Sequence, residues 1–361
     1  MNENDGSPES PIERRKYDHV DICAREDLRT GYVYWDDVKL VHNSLPEVDM
    51  DDVDTSITLF GRRLDAPIII SAMTGGYGKA TDINRNLAYV AEKYGLGMGV
   101  GSQRAALENP SLAETYSVIR DFEIPLKIGN LGAPQLVTQG TRPPLDIEDA
   151  RHAMELIDAH VLAVHLNYLQ EVVQPEGDTC SKGSLDAIAR FSKALPVIAK
   201  ETGAGISREV ALRLRKTAVQ GIDVGGLGGT SFSAVEYFRA RSAKDSTREN
   251  VGRTFWDWGI PTPVSVVVAN VGLPVISTGG MRSGLDIAKA IAIGASSAGM
   301  AGRLLPAALE GRVELEREVE TIISELRAAM FLVGARDIAS LESVDALICG
   351  RTREWLDHLM E

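Results

Sequence analysis

The residues of this chain best suited to chemistry stand close together at His165, Asn167, Gln170 and Glu171. An imidazole, two amides and a carboxylate follow an apolar run, Val161 to Val164, that reads as a buried strand. Pro175, Glu176, Gly177 and Asp178 then make a loop before the next helix. A strand whose C-terminal end delivers polar groups into a following loop is how an α/β barrel builds an active site. Glu171 is the candidate ligand for a divalent cation, because a lone carboxylate plus substrate phosphate oxygens is the usual Mg2+ arrangement.

Lys200 is a second candidate. It ends another apolar run (Val197, Ile198, Ala199) and points at the barrel mouth. Three roles are open to it: a Schiff-base nucleophile, a cation against a flavin, or an ion pair with Glu201. A third signal is a pair of glycine loops, Thr278 to Gly284 and Gly299 to Arg303, each preceding a helix. Backbone N–H groups in such turns form an anion nest, and barrels commonly place a phosphate there. Cys/His zinc spacing, a GxSxG elbow and a GxxxxGK[ST] loop are all missing, so zinc, α/β-hydrolase and P-loop chemistry are unsupported.

The elements that must position these residues recur along the chain. Apolar strands are predicted at Pro67–Ser71, Gly95–Gly101, Pro125–Ile128, from Val161, and at Pro196–Ala199, Gly221–Val224, Pro274–Ser277 and Ser297–Met300. Helical spacing falls between most of them, at Thr81–Lys93, Ile147–Ile157, Ser184–Ala194, Ser207–Val219, Pro261–Asn270 and Leu285–Ile293. Alternating strands and helices imply parallel pairing with crossover helices, and eight such units make a (β/α)8 TIM barrel. A doubly wound open sheet is the competitor, but glycines here recur after nearly every strand. The expected organisation is a disordered tail (1–13), an N-terminal arm and lead-in layer (14–66), the barrel (67–305) and C-terminal helices packing on it (306–361). The lead-in layer holds a strand at Thr55–Phe60 with a turn at Gly61. The C-terminal part reads as helices at Val313–Ala339 and Val344–Leu359. Residues 241–259, polar and then aromatic (Phe255, Trp256, Trp258), interrupt the sixth unit as core packing or as a mobile lid.

Composition narrows the function. The chain has 361 residues and a formal net charge of −13, which argues against general nucleic-acid binding and leaves an anionic substrate to a local positive site. One such site is the basic-aromatic cluster Arg14 to His19, read either as a solvated charge run or as an arm folding over a phosphate-bearing ligand. Cys23, Cys180 and Cys349 have no metal spacing and read as free thiols in a reducing cytosol. No secretion signal or membrane span is read.

Taken in order, these motifs resemble the type 2 isopentenyl-diphosphate isomerases, FMN-dependent (β/α)8 enzymes. The matching stretches are Arg15-Lys16, Met73 to Gly76, Gly101 to Arg104, Asn130 to Gly132, His165 to Asn167 with Leu169 to Glu171, Gln174 to Asp178, Lys200-Glu201, Gly228 to Thr230 and Phe255 to Gly259. The resemblance implies that Ala72, Met73, Thr74, Ser102, Asn130, Lys200 and Thr230 line FMN. Gly279, Gly280, Met281, Arg282, Ala301 and Gly302 would hold its phosphate. Arg15, Lys16, Ser102, Gln103, Arg104 and Gln170 would grip a diphosphate substrate, and Glu171 would carry Mg2+. His165 and Asn167 would complete the polar wall, counted with Gln170 as catalytic. It also implies a reaction that moves a C=C bond with reduced FMN as acid–base group, NADPH serving only to reduce the flavin, and a cytoplasmic homo-oligomer (octamer or tetramer). The alternatives are an FMN-dependent barrel oxidoreductase of the 2-hydroxy-acid or dihydroorotate type, and a non-catalytic phosphate-binding barrel.

Overall fold

The structure, a computed structural model, describes residues 10–360. Its strands in chain order are β1 (Val38–Leu40), β2 (Ile57–Leu59), β3 (Arg62–Leu64), β4 (Ile68–Ile70), β5 (Gly97–Gly99), β6 (Leu126–Gly132), β7 (Val161–Leu166), β8 (Val197–Glu201), β9 (Gly221–Asp223), β10 (Val275–Thr278), β11 (Ser297–Met300) and β12 (Ala346–Ile348). Strands β4 to β11 close in sequence order into a parallel ring, β11 pairing with β4. The expected (β/α)8 barrel is the observed one.

Side-chain alternation along each strand organises the ring. Outward residues such as Ile70, Met98, Val164, Ala199 and Ile222 pack under the surrounding helices in one continuous core. Inward residues begin apolar: Ile69, Leu126, Ile128, Val161, Ala163, Ile198 and Ile276 fill the lower half. The hairpin β2–β3 turns at Phe60-Gly61, both with positive φ, and drives Leu59 and Leu64 into that lower plug. The floor is thus dry and rigid. One inward step higher the residues turn polar, and that step builds the site.

Three departures from the sequence reading have physical causes. Ser10 to Glu13, assigned to a disordered tail, start a helix (Pro11–Arg25): the Ser10 and Glu13 side chains form a reciprocal capping box and Pro11 sits at the first turn. The rest of that tail lies outside the described residues. The helix expected over Val344–Leu359 begins only at Gly350, because Ala346–Ile348 pairs antiparallel with β1. A helix at Phe232–Ser242 was not anticipated, and it supports the aromatic segment: Trp256 packs edge-on against Tyr237 and Phe238.

Candidate active site

The polar inward step brings together Ser71, Asn130, His165, Lys200, Asp223 and Thr278, each within two residues of the C-terminal end of its strand. Ser71, Asn130, Lys200 and Asp223 line one cleft with Ala72, above Ile69, Ile198 and Ile276. Lys200 Nζ lies 2.8 Å from Asp223 Oδ2 and 3.2 Å from the Glu201 carbonyl. The ion-pair option for Lys200 is therefore met by Asp223 on the neighbouring strand, not by the Glu201 carboxylate. That carboxylate instead accepts N–H bonds from Thr202, Gly203, Ala204 and Gly205. Burial pushes Glu201 up to about 7, and those donors, which favour the ionised form, oppose the rise.

His165 Nδ1 stands 2.7 Å from Asn130 Oδ1, and Asn130 Nδ2 donates to the Val100 carbonyl. An amide oxygen only accepts, so Nδ1 carries the proton and Nε2 keeps its lone pair. Burial first, then Lys16 and Lys200, push the ring's pKa down to about 3, so it is neutral at physiological pH.

Gln170 and Glu171, expected at the end of a strand running from Val161 to Glu171, lie on a short helix (Tyr168–Val173), because β7 stops at Leu166. One helical turn aims both back at Asn167, whose Nδ2 reaches Gln170 Oε1 at 3.2 Å and Glu171 Oε1 at 2.8 Å. The other Glu171 oxygen accepts the Asp178 N–H and the Gln174 amide. Burial raises the Glu171 pKa, which those donors counter. No cluster of three or more His, Cys, Asp or Glu side chains able to hold a metal occurs among the described residues. Glu171 would therefore hold Mg2+ only together with oxygens of a bound ligand.

The N-terminal helix brings cations to the same rim. Lys16 Nζ donates to the Ser102 carbonyl at 3.1 Å, across 86 positions of sequence. Burial, then Arg15, then Arg104, lower its pKa to about 7. Neither Arg15 nor Lys16 pairs with a carboxylate among the described residues, whereas Arg104 is held by Glu108 and Asp178. Gln103, expected to grip the substrate, is turned away from the mouth: its amide donates to the Ala153 carbonyl and accepts the Asn130 N–H, so its bonds brace β6 from behind. A buried acid absent from the sequence reading, Glu236, takes Gln170 Nε2 at 3.2 Å and His19 Nε2 at 2.9 Å on one oxygen, and Arg239 on the other. Burial alone would raise Glu236, but His19 and Arg239 outweigh it and hold it at about 2. Its signal was a lone carboxylate amid Phe232, Val235 and Phe238. Asp223, an acid inside an apolar strand, carried the same signal as Lys200.

At the opposite rim the loops after β9, β10 and β11 converge. A Cβ on Gly229 would sit 2.7 Å from the Gly280 nitrogen, and one on Gly302 only 3.6 Å from Thr230 Oγ1. Arg282 is bound to Asp36 and Asp286, and Met281 is buried in the core, so this cradle presents backbone and not side-chain charge. The buried hydroxyls of Ser71, Thr74 and Thr278 have no hydrogen-bond partner. Met73 is partly buried against the main core. A glycine cradle and orphaned hydroxyls around one polar mouth fit a phosphorylated, polyhydroxylated cofactor such as FMN.

The fold and this cradle define a class, and comparison with known proteins gives it. The family model for FMN-dependent dehydrogenases matches residues 10–114 and 195–347. A solved mandelate oxidase variant with an FMN adduct aligns with a TM-score of 0.59 at 18% identity, over 92% of each chain, which speaks to the fold. Among curated proteins, an isopentenyl-diphosphate delta-isomerase of Methanoregula boonei is 49% identical over 95% of this chain and 96% of its own. One of Thermoplasma volcanium is 47% identical over 96% and 99%. The chain belongs to the isopentenyl-diphosphate delta-isomerase family. No helix among the described residues is long and apolar enough to cross a membrane.

Proposed function

We propose that this chain interconverts isopentenyl diphosphate and dimethylallyl diphosphate, with FMN at the barrel mouth and Mg2+ on the diphosphate. The observation that carries the substrate assignment is the half-buried Lys16 beside Arg15 and Arg104, with no carboxylate on Lys16 or Arg15 among the described residues. Gathering like charges out of water is unfavourable unless an anion joins them, and a diphosphate supplies that anion. Lys16, Arg15 and Arg104 hold the diphosphate, Ser102 and Gln170 border it, and Glu171 shares Mg2+ with its oxygens. Holding that end fixes the hydrocarbon end over the mouth.

Reduced FMN, when bound, supplies the acid–base group for shifting the double bond, and NADPH serves only to keep it reduced. His165, neutral with Nε2 free to accept, and the Asn167–Gln170 amide pair form the polar wall beside it. Lys200 offers its ammonium to the flavin with Asp223 balancing the charge. Incubation of the flavin-reduced protein with isopentenyl diphosphate in D2O tests this directly. Deuterium entering both isopentenyl and dimethylallyl diphosphate supports the reading. Oxidation of a 2-hydroxy acid or dihydroorotate, with no exchange into the diphosphate, contradicts it. A homo-oligomer in the cytoplasm completes the proposal, and it is checked by light scattering and cell fractionation.

A further inference from the structure

Gly279 and Gly280 have φ of +119° and +70°, so nothing intrinsic to this pair fixes the peptide between them. A trans peptide points its C=O and N–H in opposite directions, so whatever holds one aims the other. The Gly279 carbonyl is held: it accepts the indole N–H of Trp35 at 3.0 Å. The Gly280 nitrogen lies on the side where Gly229 approaches, 2.7 Å from where a Cβ on Gly229 would sit, and its N–H donates to no group among the described residues.

Trp35 is itself fixed from several directions. The residue is 1% exposed, and its carbonyl accepts Lys289 Nζ at 2.8 Å. The next residue, Asp36, bonds Arg282 at 2.7 Å on the far side of the same glycine loop. Asp37 accepts the N–H and the hydroxyl of Thr352, which ties the turn to the C-terminal helix (Gly350–Met360).

We infer that the Tyr34–Asp37 turn is a positioning device for the cofactor phosphate: Trp35, and Asp36 through Arg282, set the Gly279-Gly280 peptide so that its N–H meets the phosphate. The ligand class is a phosphate monoester, the 5′-phosphate of a flavin nucleotide. This rests on the cofactor site proposed above. It makes Trp35 a positioning residue, separated from the ligand by the glycine loop.

The test is titration of flavin-free protein with FMN and, separately, with riboflavin, followed by flavin fluorescence. Trp35→Phe keeps the ring and removes the N–H. It should weaken FMN binding roughly 5- to 20-fold, the scale of one buried hydrogen bond, and leave riboflavin binding within about two-fold. Turnover lost at low FMN should return as FMN is raised. Because Trp35 is buried, Asp36→Ala, at a side chain 60% exposed, provides a second variant. It should shift FMN binding the same way by roughly 2- to 5-fold. FMN affinity unchanged in Asp36→Ala or in folded Trp35→Phe overturns the inference. Equal weakening of FMN and riboflavin also overturns it, since that marks general loosening. A parent protein that binds neither flavin overturns the cofactor reading and this inference with it.

Discussion

Lys200 Nζ and Asp223 Oδ2 face each other at 2.8 Å across register-paired positions of β8 and β9, both directed into the barrel mouth. The pair places a cation where a flavin would lie and balances it with a neighbouring carboxylate.

Breaking that pair strands a buried charge. Asp223→Asn should destabilise the flavin-free protein by about 3 kcal/mol in urea unfolding. A Lys200→Gln, Asp223→Asn double variant should recover a good part of the loss, because neither charge is then unpaired. Strict additivity of the two single changes would show that the contact carries no coupling.

Glu171 is fastened by Asn167, Gln174 and the Asp178 N–H, so its oxygens are preset for a cation. Glu171→Gln should raise the Mg2+ concentration for half-maximal turnover by about 10-fold or more. Gln170→Ala should lower turnover at saturating Mg2+, since its amide bridges Asn167 and Glu236. Normal isomerisation in both variants would remove the role given to this helix.

The His165 pKa is depressed from 6.5 to about 3 by burial, Lys16 and Lys200. A lowered histidine means that the unfolded chain takes up a proton the folded ring refuses. The His165 contribution to stability therefore falls as pH drops from about 6.5 towards 3, by at most about 1.4 kcal/mol per pH unit, while Glu201, raised to about 7, binds a proton on folding and acts in the opposite sense above about 4.5. Glu236 loses its contribution only below about 4.5, so urea midpoints between pH 6.5 and 5 avoid it. Relative to the parent, His165→Asn should lower the gain in stability per pH unit across that window, with the Glu201 contribution common to both proteins, and an unaltered slope would contradict the assignment.

The barrel floor depends on the β2–β3 hairpin. Leu64 is fully buried there, and Leu64→Ala should cost about 2–5 kcal/mol in unfolding free energy. A loss under about 1 kcal/mol would mean that the hairpin does not plug the ring.

The barrel was legible because its strands are apolar runs cut off by glycine or polar residues. Ser297–Met300 and the helix Ser184–Ala194 appear with the expected bounds. The β12 strand was not legible: three residues become a strand only because β1 arrives from the other end of the chain. The rim residues at Lys16, Lys200 and Glu171 stood out by type, but their partners did not. Which acid faces Lys200 depends on strand register, and Asp223 sits across β8–β9 while Glu201 adjoins in sequence. Glu236 and Trp35 were hidden for a similar reason. Their roles arise from contacts with His19 and with Gly279, which no local pattern predicts.

The central claim is an isomerisation that consumes no redox equivalents yet requires reduced flavin. The measurement that tests it most directly is anaerobic conversion of isopentenyl diphosphate to dimethylallyl diphosphate by purified protein with FMN, Mg2+ and NADPH, against controls omitting each. The account predicts turnover that disappears without flavin or reductant and leaves NADPH consumption far below product formed. A flavin-bound protein that yields no dimethylallyl diphosphate, or that spends one NADPH per product, would contradict it.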